Sequence, residues 1–165
     1  MMRQPVYMKE SFKFDEILIE DAAVRQARRV KLRQAREASG KSRQEIAVLA
    51  GLSTSTYCDL EEQDGELNMV VSLREVSKLA SALGISTRFI FDDSIEGQPI
   101  SPERLCAKIN EHLARTKMSI AEFENRVGFV IGPALLNPAE VLKWNVDCLR
   151  FVCKEVGVDW LAALP

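Results

Sequence analysis

The chain of 165 residues has no apolar run long enough to cross a membrane. Its longest stretch without a charged or strongly polar side chain is residues 127–136, half of the ~20 residues that a spanning helix needs. Residues 1–10 lack the apolar segment of a secretory signal, so we expect a cytoplasmic protein. Glycine and proline are few, at 8 and 6 residues, which excludes collagen-like and low-complexity chains.

Residue types that carry catalysis or bind metals are also scarce. His112 is the single histidine, and we expect it on a helix surface, without the partners that a triad or a metal site requires. The four cysteines form no Cys-x-x-Cys pair, so we expect them to be small buried residues. The sequence has no glycine-rich phosphate loop. We therefore expect no enzyme, no metal and no cofactor.

The composition that remains is that of a globular protein, with 47% hydrophobic and 28% charged residues. The net charge is only -2, but the two signs are separated along the chain. Residues 22–43 carry eight basic side chains and one acidic one, a local charge of +7. Residues 44–73 carry six acidic side chains and no Lys or Arg, a local charge of -6. The basic segment is either an anion-binding surface or a solvated helix face.

Helix starts are marked by Ser followed three residues later by Glu, a spacing at which each side chain satisfies a free backbone N–H group of the other. The three serines in this pattern are Ser42, Ser72 and Ser119. Ser101 and Asn137 each precede a proline, which is favoured at the first position of a helix. Apolar residues then recur at helical spacing up to Gly84 and Gly157. The sequence therefore predicts an all-α fold.

The order of these signals predicts the organisation of the chain. Alternating Phe and Ile within residues 6–19 indicate a short strand or an extended arm. A basic first helix is expected over about residues 21–39. Gly97 and Pro99 mark a linker near the middle of the chain. The predicted segments are an N-terminal arm at 1–20, a first domain at 21–93, a linker at 94–100 and a second helical domain at 101–165.

The second domain is predicted to be a copy of the first. Residues 42–51 have a counterpart 77 residues later at 119–128, in which Ser and Gly recur at matching positions. The Leu-Gly-Ile sequence at 83–85 matches Val-Gly-Val at 156–158, at an offset of 73. Because few positions coincide, chance similarity between two short helical bundles is the alternative.

The sequence of residues 42–62 predicts two helices joined by a tight turn. Ile46 and Ala47 face inward, the small Ala47 lets the next helix approach closely, and Gly51 supplies the backbone freedom of the turn. Small or polar side chains face outward near the start of the second helix: Ser53, Thr54, Ser55, Thr56 and Cys58. A supported helix with a polar N-terminal surface is what reading the DNA major groove requires.

In these residues the sequence resembles the lambda-repressor-like helix-turn-helix family, also described as Cro-type or xenobiotic-response-element proteins. The resemblance extends over residues 32–91 and is carried by LRQAREASGKSRQEIAVLAGLSTSTYCDLEE and SLREVSKLASALGIS. It implies a five-helix bundle whose second and third helices read DNA. It also implies a repressor that binds paired half-sites as a dimer.

The resemblance assigns roles to particular residues. The family's buried ion pair between helices 1 and 3 falls on Arg36 and Glu61. The Gln that opens helix 2 in the family is replaced by Arg43, with Gln44 one residue later, and an Arg serves phosphate at least as well. The predicted DNA contacts are Arg43, Gln44, Ser53, Thr54, Ser55, Thr56 and Cys58. The predicted phosphate contacts are Arg29, Arg33 and Lys41.

The second copy departs from this pattern. Leu113 and Pro138 occupy the positions that match Arg36 and Glu61, and the would-be reading surface is apolar. We interpret this copy as degenerate and kept for packing or association. The predicted interface of a homodimer consists of Phe129, Val130, Ile131 and Leu135. The alternative is that these side chains form the core of their own half.

Two functions follow from these observations. The first is a cytoplasmic, dimeric, sequence-specific regulator of transcription that binds double-stranded DNA, most simply a repressor. The alternative is a protein-interaction adaptor or antitoxin-like module that keeps the helix-turn-helix fold without DNA affinity. The hydroxyl residues at 53–56 and the basic first helix favour DNA, whereas the acidic residues at 59–66 favour a protein partner.

Overall fold

The computed structural model describes residues 20–63, 65–92 and 98–165. These residues are mostly helical and contain no β-strand, which confirms the predicted all-α class. The helices of the first half are α1 (Ala22–Ser39), α2 (Arg43–Ala50), α3 (Thr54–Glu62), α4 (Glu66–Met69), α5 (Leu73–Leu83) and α6 (Thr87–Phe91). Those of the second half are α7 (Pro102–Thr116), α8 (Ile120–Val127), α9 (Gly132–Leu136) and α10 (Val146–Val156), with 3-10 helices at Pro138–Lys143 and Trp160–Ala163. The predicted arm at 6–19 and most of the predicted linker lie outside the described residues.

The three serine-glutamate patterns all form capping boxes. In each one the Glu carboxylate accepts a hydrogen bond of 2.7–2.8 Å from the backbone N–H of the Ser. The Ser hydroxyl accepts in return from the backbone N–H of the Glu at 3.2 Å. The pairs are Ser42 with Glu45 on α2, Ser72 with Glu75 on α5, and Ser119 with Glu122 on α8. Ser101 starts α7 as predicted, whereas Asn137 starts a 3-10 helix.

The second half repeats the helix order of the first. α2 and α8 each have 8 residues, begin with a capping box and end at a glycine in the left-handed region, Gly51 and Gly128. α5 and α10 each have 11 residues and also end at such a glycine. A long helix precedes each set, and a short helical turn closes it. This agreement in order and length supports the predicted repeat.

One hydrophobic core runs through both halves. It includes Leu32, Ile46 and Tyr57 from the first half together with Phe123 and Leu149 from the second. None of the described helices has the length and apolar character needed to cross a membrane. Within the same residues, no three His, Cys, Asp or Glu side chains are grouped as metal ligands.

His112 is buried, which corrects the expectation that it lies on a helix surface. Only 8% of the residue is exposed, because its face of α7 is covered by residues of α8 and α10. The imidazole packs edge-on against Phe123 with ring centroids 5.7 Å apart. Its Nε2 atom lies 3.9 Å from the carboxylate of Glu155.

The cysteines were expected to be small buried residues. Cys106, Cys148 and Cys153 are buried, and Cys58 is half-buried.

Candidate nucleic-acid interface

The helix pair α2–α3 is held together by buried side chains and a glycine turn. Ile46 and Ala47 on α2 and Tyr57 on α3 are completely buried. Gly51 has a φ of 73°, and its N–H bonds to the last carbonyls of α2. An added Cβ at this glycine would have room, so it is the backbone conformation that favours glycine. The turn therefore fixes the direction of α3 relative to α2.

The start of α3 presents hydroxyl groups to solvent. Ser53, Thr54 and Ser55 are exposed, and Thr56 and Cys58 are half-buried. The Ser53 hydroxyl accepts a hydrogen bond from the Thr56 N–H at 3.0 Å and pairs with the Thr56 hydroxyl at 2.8 Å. These two side chains are therefore occupied in capping the helix. Thr54 and Ser55 are exposed and take no part in these cap hydrogen bonds.

Arg36 and Glu61 form the ion pair that the family resemblance implies. Arg36 Nε lies 2.7 Å from Glu61 Oε1, and Arg36 Nη2 lies 3.3 Å from Glu61 Oε2. The Glu61 side chain is fully buried and 14% of the Arg36 side chain is exposed. A two-point contact of this kind fixes the relative orientation of the two groups. It ties α1 to the last turn of α3.

The protonation of this pair follows from its surroundings. Burial acts to raise the pKa of Glu61, but the hydrogen bond and charge of Arg36 and the charge of Arg43 bring that pKa below its ordinary value. The hydrogen bond to Glu61 raises the pKa of Arg36 in turn. Both groups are therefore charged at neutral pH, and their attraction lies in the interior of the first half.

Arg43, one of the predicted DNA contacts, binds the acidic end of α3. Its Nε lies 3.0 Å from Glu61 Oε2, and its Nη1 lies 2.6 Å from Glu62 Oε1. The hydrogen bond to Glu62 is the main cause that raises the pKa of Arg43. Arg43 opens α2 beside the last turn of α3, so these carboxylates are its nearest partners. Gln44, the next residue, is exposed.

Two of the predicted phosphate contacts are also directed to α3. Arg29 Nη1 donates to the carbonyl of Glu62 at 2.7 Å, and Arg33 Nη2 donates to the carbonyl of Glu61 at 3.4 Å. The carboxyl end of a helix carries unpaired carbonyls and negative partial charge, which cations stabilise. Lys41, the third predicted contact, is half-buried. Arg29 and Arg33 of the basic segment, which were predicted to bind phosphates beside α3, therefore stabilise the end of α3 itself.

Arg28 has a structural role that sequence reasoning missed. It is only 6% exposed, and it binds the Glu20 carboxylate and the Asn68 side-chain oxygen. Its guanidinium carbon lies 4.9 Å from the ring centre of Phe91. The sequence spacing could have indicated that Arg28 is buried, because Arg28 precedes the buried Leu32 by four residues and so lies on the same helix face.

The apolar residues of the second copy fill its own core. Phe129 and Ile131 are completely buried, and the Phe129 ring lies 5.8 Å from that of Phe151. This corrects their assignment to a dimer interface, because a contact surface must be accessible in the single chain. Val130 and Leu135 are half-buried. The turn before α9 is fastened by Glu124, whose Oε1 accepts from the backbone N–H groups of residues 131 and 132 at 2.8 and 3.0 Å.

Comparison with known proteins agrees with this geometry. Residues 29–88 match the family model of a helix-turn-helix domain. The matched range contains the α2–α3 pair, the exposed start of α3 and the Arg36–Glu61 ion pair. No curated protein and no solved structure matched the chain. Residues 29–88 of this chain thus form a helix-turn-helix domain, of the kind with which proteins bind DNA.

Proposed function

We propose that the protein is a sequence-specific DNA-binding regulator of transcription that acts as a repressor. The observation that carries this proposal is the exposed start of α3, where Thr54 and Ser55 present hydroxyls from a helix held by buried residues. Side chains at the N-terminal end of a recognition helix reach base edges in the major groove. Ser and Thr hydroxyls act as donors or acceptors there. The match of residues 29–88 to a helix-turn-helix domain supports the same function.

The charge distribution sets an expectation for the strength of binding. Affinity for DNA depends largely on cations that neutralise phosphates and release counterions. Arg29, Arg33 and Arg43 already bind groups at the end of α3. Backbone N–H groups at the start of a helix also hold phosphates, without a charged side chain. We therefore expect binding with a shallow dependence on salt concentration.

The alternative function, an adaptor that binds a protein, is favoured by the acidic residues around the end of α3. Glu62 is exposed, and Asp59 and Glu66 are half-buried. Burial and the neighbouring charge of Asp59 both raise the pKa of Glu66. An acidic surface of this kind repels DNA phosphates and suits a basic protein partner. Retention on heparin at low salt separates the two functions, since only the DNA-binding protein is expected to be retained.

The decisive experiment is selection of bound sequences from a random pool of DNA duplexes with the full chain. An enriched sequence supports the regulator. No enrichment at low salt contradicts the regulator and leaves the adaptor. The variant Thr54→Ala/Ser55→Ala is the matched control, because it removes two exposed hydroxyls and leaves the cap formed by Ser53 and Thr56. If the parent chain enriches a sequence and this variant does not, the residues at the start of α3 recognise the bases.

Repression, a cytoplasmic location and the absence of enzymatic activity are further parts of this proposal. Repression is tested by placing the selected sequence within a reporter promoter, where expression of the protein should lower the output. A cytoplasmic location is tested by cell fractionation. We further propose that the chain is not an enzyme, which rests on the sparse catalytic residue types in the sequence.

A further inference from the structure

Corresponding residues of the two halves can be identified from the helices that they begin. Ser72 caps the start of α5, and Asn145 caps the start of α10. Both helices have 11 residues, and the two caps are separated by 73 residues in the sequence. The same offset relates the glycines that end these helices, Gly84 and Gly157. Ser72 and Asn145 are thus equivalent positions of the repeat.

These equivalent residues contact each other. Ser72 and Asn145 form an antiparallel bridge, and the N–H of Leu73 donates to the carbonyl of Trp144 at 2.7 Å. An antiparallel pair runs in opposite directions on either side of a local two-fold axis. When a residue meets its own counterpart in this way, the contact is of the isologous type made by two copies related by a two-fold axis.

The neighbouring contacts follow the same reciprocal pattern. α10 packs against α4, and α5 packs against the 3-10 helix Pro138–Lys143, which stands where α4 stands in the repeat. The short helices that close the two halves also meet. The rings of Phe91 and Trp160 pack edge-on with centroids 5.4 Å apart, and Arg88 Nη2 donates to the carbonyl of Ala162 at 3.2 Å. Each half therefore presents corresponding elements to the other.

The residues at the centre of the contact between the halves are buried. Leu73 and Val146 are completely buried, and Trp144 is 3% exposed. Asn145, which is 1% exposed, donates from its side chain to the carbonyl of Met69 at 3.0 Å. The second half therefore covers the buried side of α4 and α5 in the first half.

Charged residues at the edge of this contact connect three segments of the chain. Asn68 Nδ2 lies 3.4 Å from Asp147 Oδ1, and Arg150 Nη2 lies 3.5 Å from Glu20 Oε1. Glu20 also binds Arg28 on α1. Buried charges are tolerated when each has partners of opposite sign. This network fits a permanent contact within one chain.

We propose that the second half occupies the place of a partner subunit, so that one chain holds both halves of a two-fold assembly and is a monomer in solution. This inference replaces the homodimer expected from the sequence. A further consequence rests on the proposed function: among the residues that the structure describes, the polar reading end is the start of α3, at Thr54 and Ser55. Their counterparts 77 residues later are Ile131 and Gly132, which carry no hydroxyl group. The protein therefore reads a single, non-palindromic half-site.

The first test is the mass of the full chain in solution, measured by light scattering and sedimentation over a hundredfold range of concentration. The expected result is a constant mass near 18.5 kDa. A species of twice that mass at micromolar concentration would overturn the proposal. This measurement contains no DNA, so its outcome is independent of the proposed function.

A second test asks whether the bridge lies within one chain. The two Cα atoms of an antiparallel pair lie about 4.5–5.5 Å apart, within the range that a disulfide spans. The full-length variant Ser72→Cys/Asn145→Cys, oxidised with diamide, is expected to lose two thiols and stay monomeric. The single variants Ser72→Cys and Asn145→Cys are the controls. A disulfide-linked dimer from the double variant and not from the single variants contradicts the proposal. If the double variant fails to fold, the mass of the parent chain decides.

The DNA consequence has its own readout. Sequences selected by the full chain should lack two-fold symmetry, and the complex should contain one chain per duplex. A palindromic sequence that binds two chains would overturn the single-half-site inference. If no sequence is enriched, the proposed function is contradicted. The internal two-fold arrangement is then tested by the solution mass alone.

Discussion

The Arg36 guanidinium donates two hydrogen bonds, of 2.7 and 3.3 Å, to the Glu61 carboxylate across the contact between α1 and α3. Arg43 reaches the same carboxylate from α2 at 3.0 Å. One buried acid therefore joins α1, α2 and α3, the helices that hold the polar start of α3 in place. The stability of the domain and the orientation of α3 depend on the same group.

Replacing Glu61 with Ala should destabilise the protein by on the order of 3 kcal/mol, because Arg36 would remain partly buried without its partner. Denaturant unfolding measures this free energy. Glu62→Ala is the matched control: Glu62 is an adjacent, exposed acid that also binds Arg43, and its removal should cost about 1 kcal/mol or less. A double-mutant cycle with Arg36→Ala should give strong coupling to Glu61. Coupling near zero would contradict the role assigned to the pair.

The stability contributed by Glu61 should depend on pH. Its folded-state pKa lies below the ordinary value of 4.5. The contribution is therefore fully present above about pH 4.5 and is lost as the pH falls through the folded-state pKa. The difference in melting temperature between the parent chain and Glu61→Gln should be largest near pH 6 and should shrink towards pH 3. A difference in melting temperature that stays constant over this pH range would show that ionisation of Glu61 contributes nothing to the stability of the fold.

The double change Thr54→Ala/Ser55→Ala should weaken binding to the selected DNA by about 1–3 kcal/mol for each hydroxyl that hydrogen-bonds to a base. Binding to random DNA and the melting temperature should stay nearly unchanged, since neither hydroxyl takes part in the helix cap. Titration by fluorescence anisotropy measures both affinities. Ser81→Ala, which removes an exposed hydroxyl from α5, is the control and should leave both affinities unaltered. An equal weakening on selected and random DNA would assign these residues to phosphates instead of bases.

Arg43→Ala should lower stability by about 1 kcal/mol, because the change removes a partly exposed arginine that binds Glu61 and Glu62. The slope of log affinity against log salt concentration should hardly change, since the guanidinium binds carboxylates in the free protein. Gln44→Ala, at the exposed neighbouring position, is the comparison and should leave stability unaltered. A fall of about one in the salt slope for Arg43→Ala would demonstrate the phosphate contact predicted from the sequence.

Features encoded by residues close in sequence were predictable. The capping boxes at Ser42, Ser72 and Ser119 each need only four consecutive residues, and all three form. The Arg36–Glu61 pair is distant in sequence, but the resemblance supplied its register. The order of helices in the second half was visible in the spacing of Ser and Gly residues.

Partners that are set by tertiary packing were not predictable. Arg43 looked available for phosphate because nothing in its own helix shows that the end of α3 lies beside it. His112 looked exposed because Phe123 and Glu155, which cover it, belong to other helices. The pairing of Ser72 with Asn145 leaves no local pattern in the sequence, since it depends on how two whole bundles meet.

The bridge between Ser72 and Asn145 joins two bundles that are parts of one polypeptide. In an assembly of separate subunits, folding stability rises with protein concentration by mass action. Here the two bundles are always present in equal number and at a fixed high local concentration, set by the chain that connects them. Dilution therefore does not weaken the contact between the two bundles. The folded assembly should be as complete in a dilute solution as in a concentrated one.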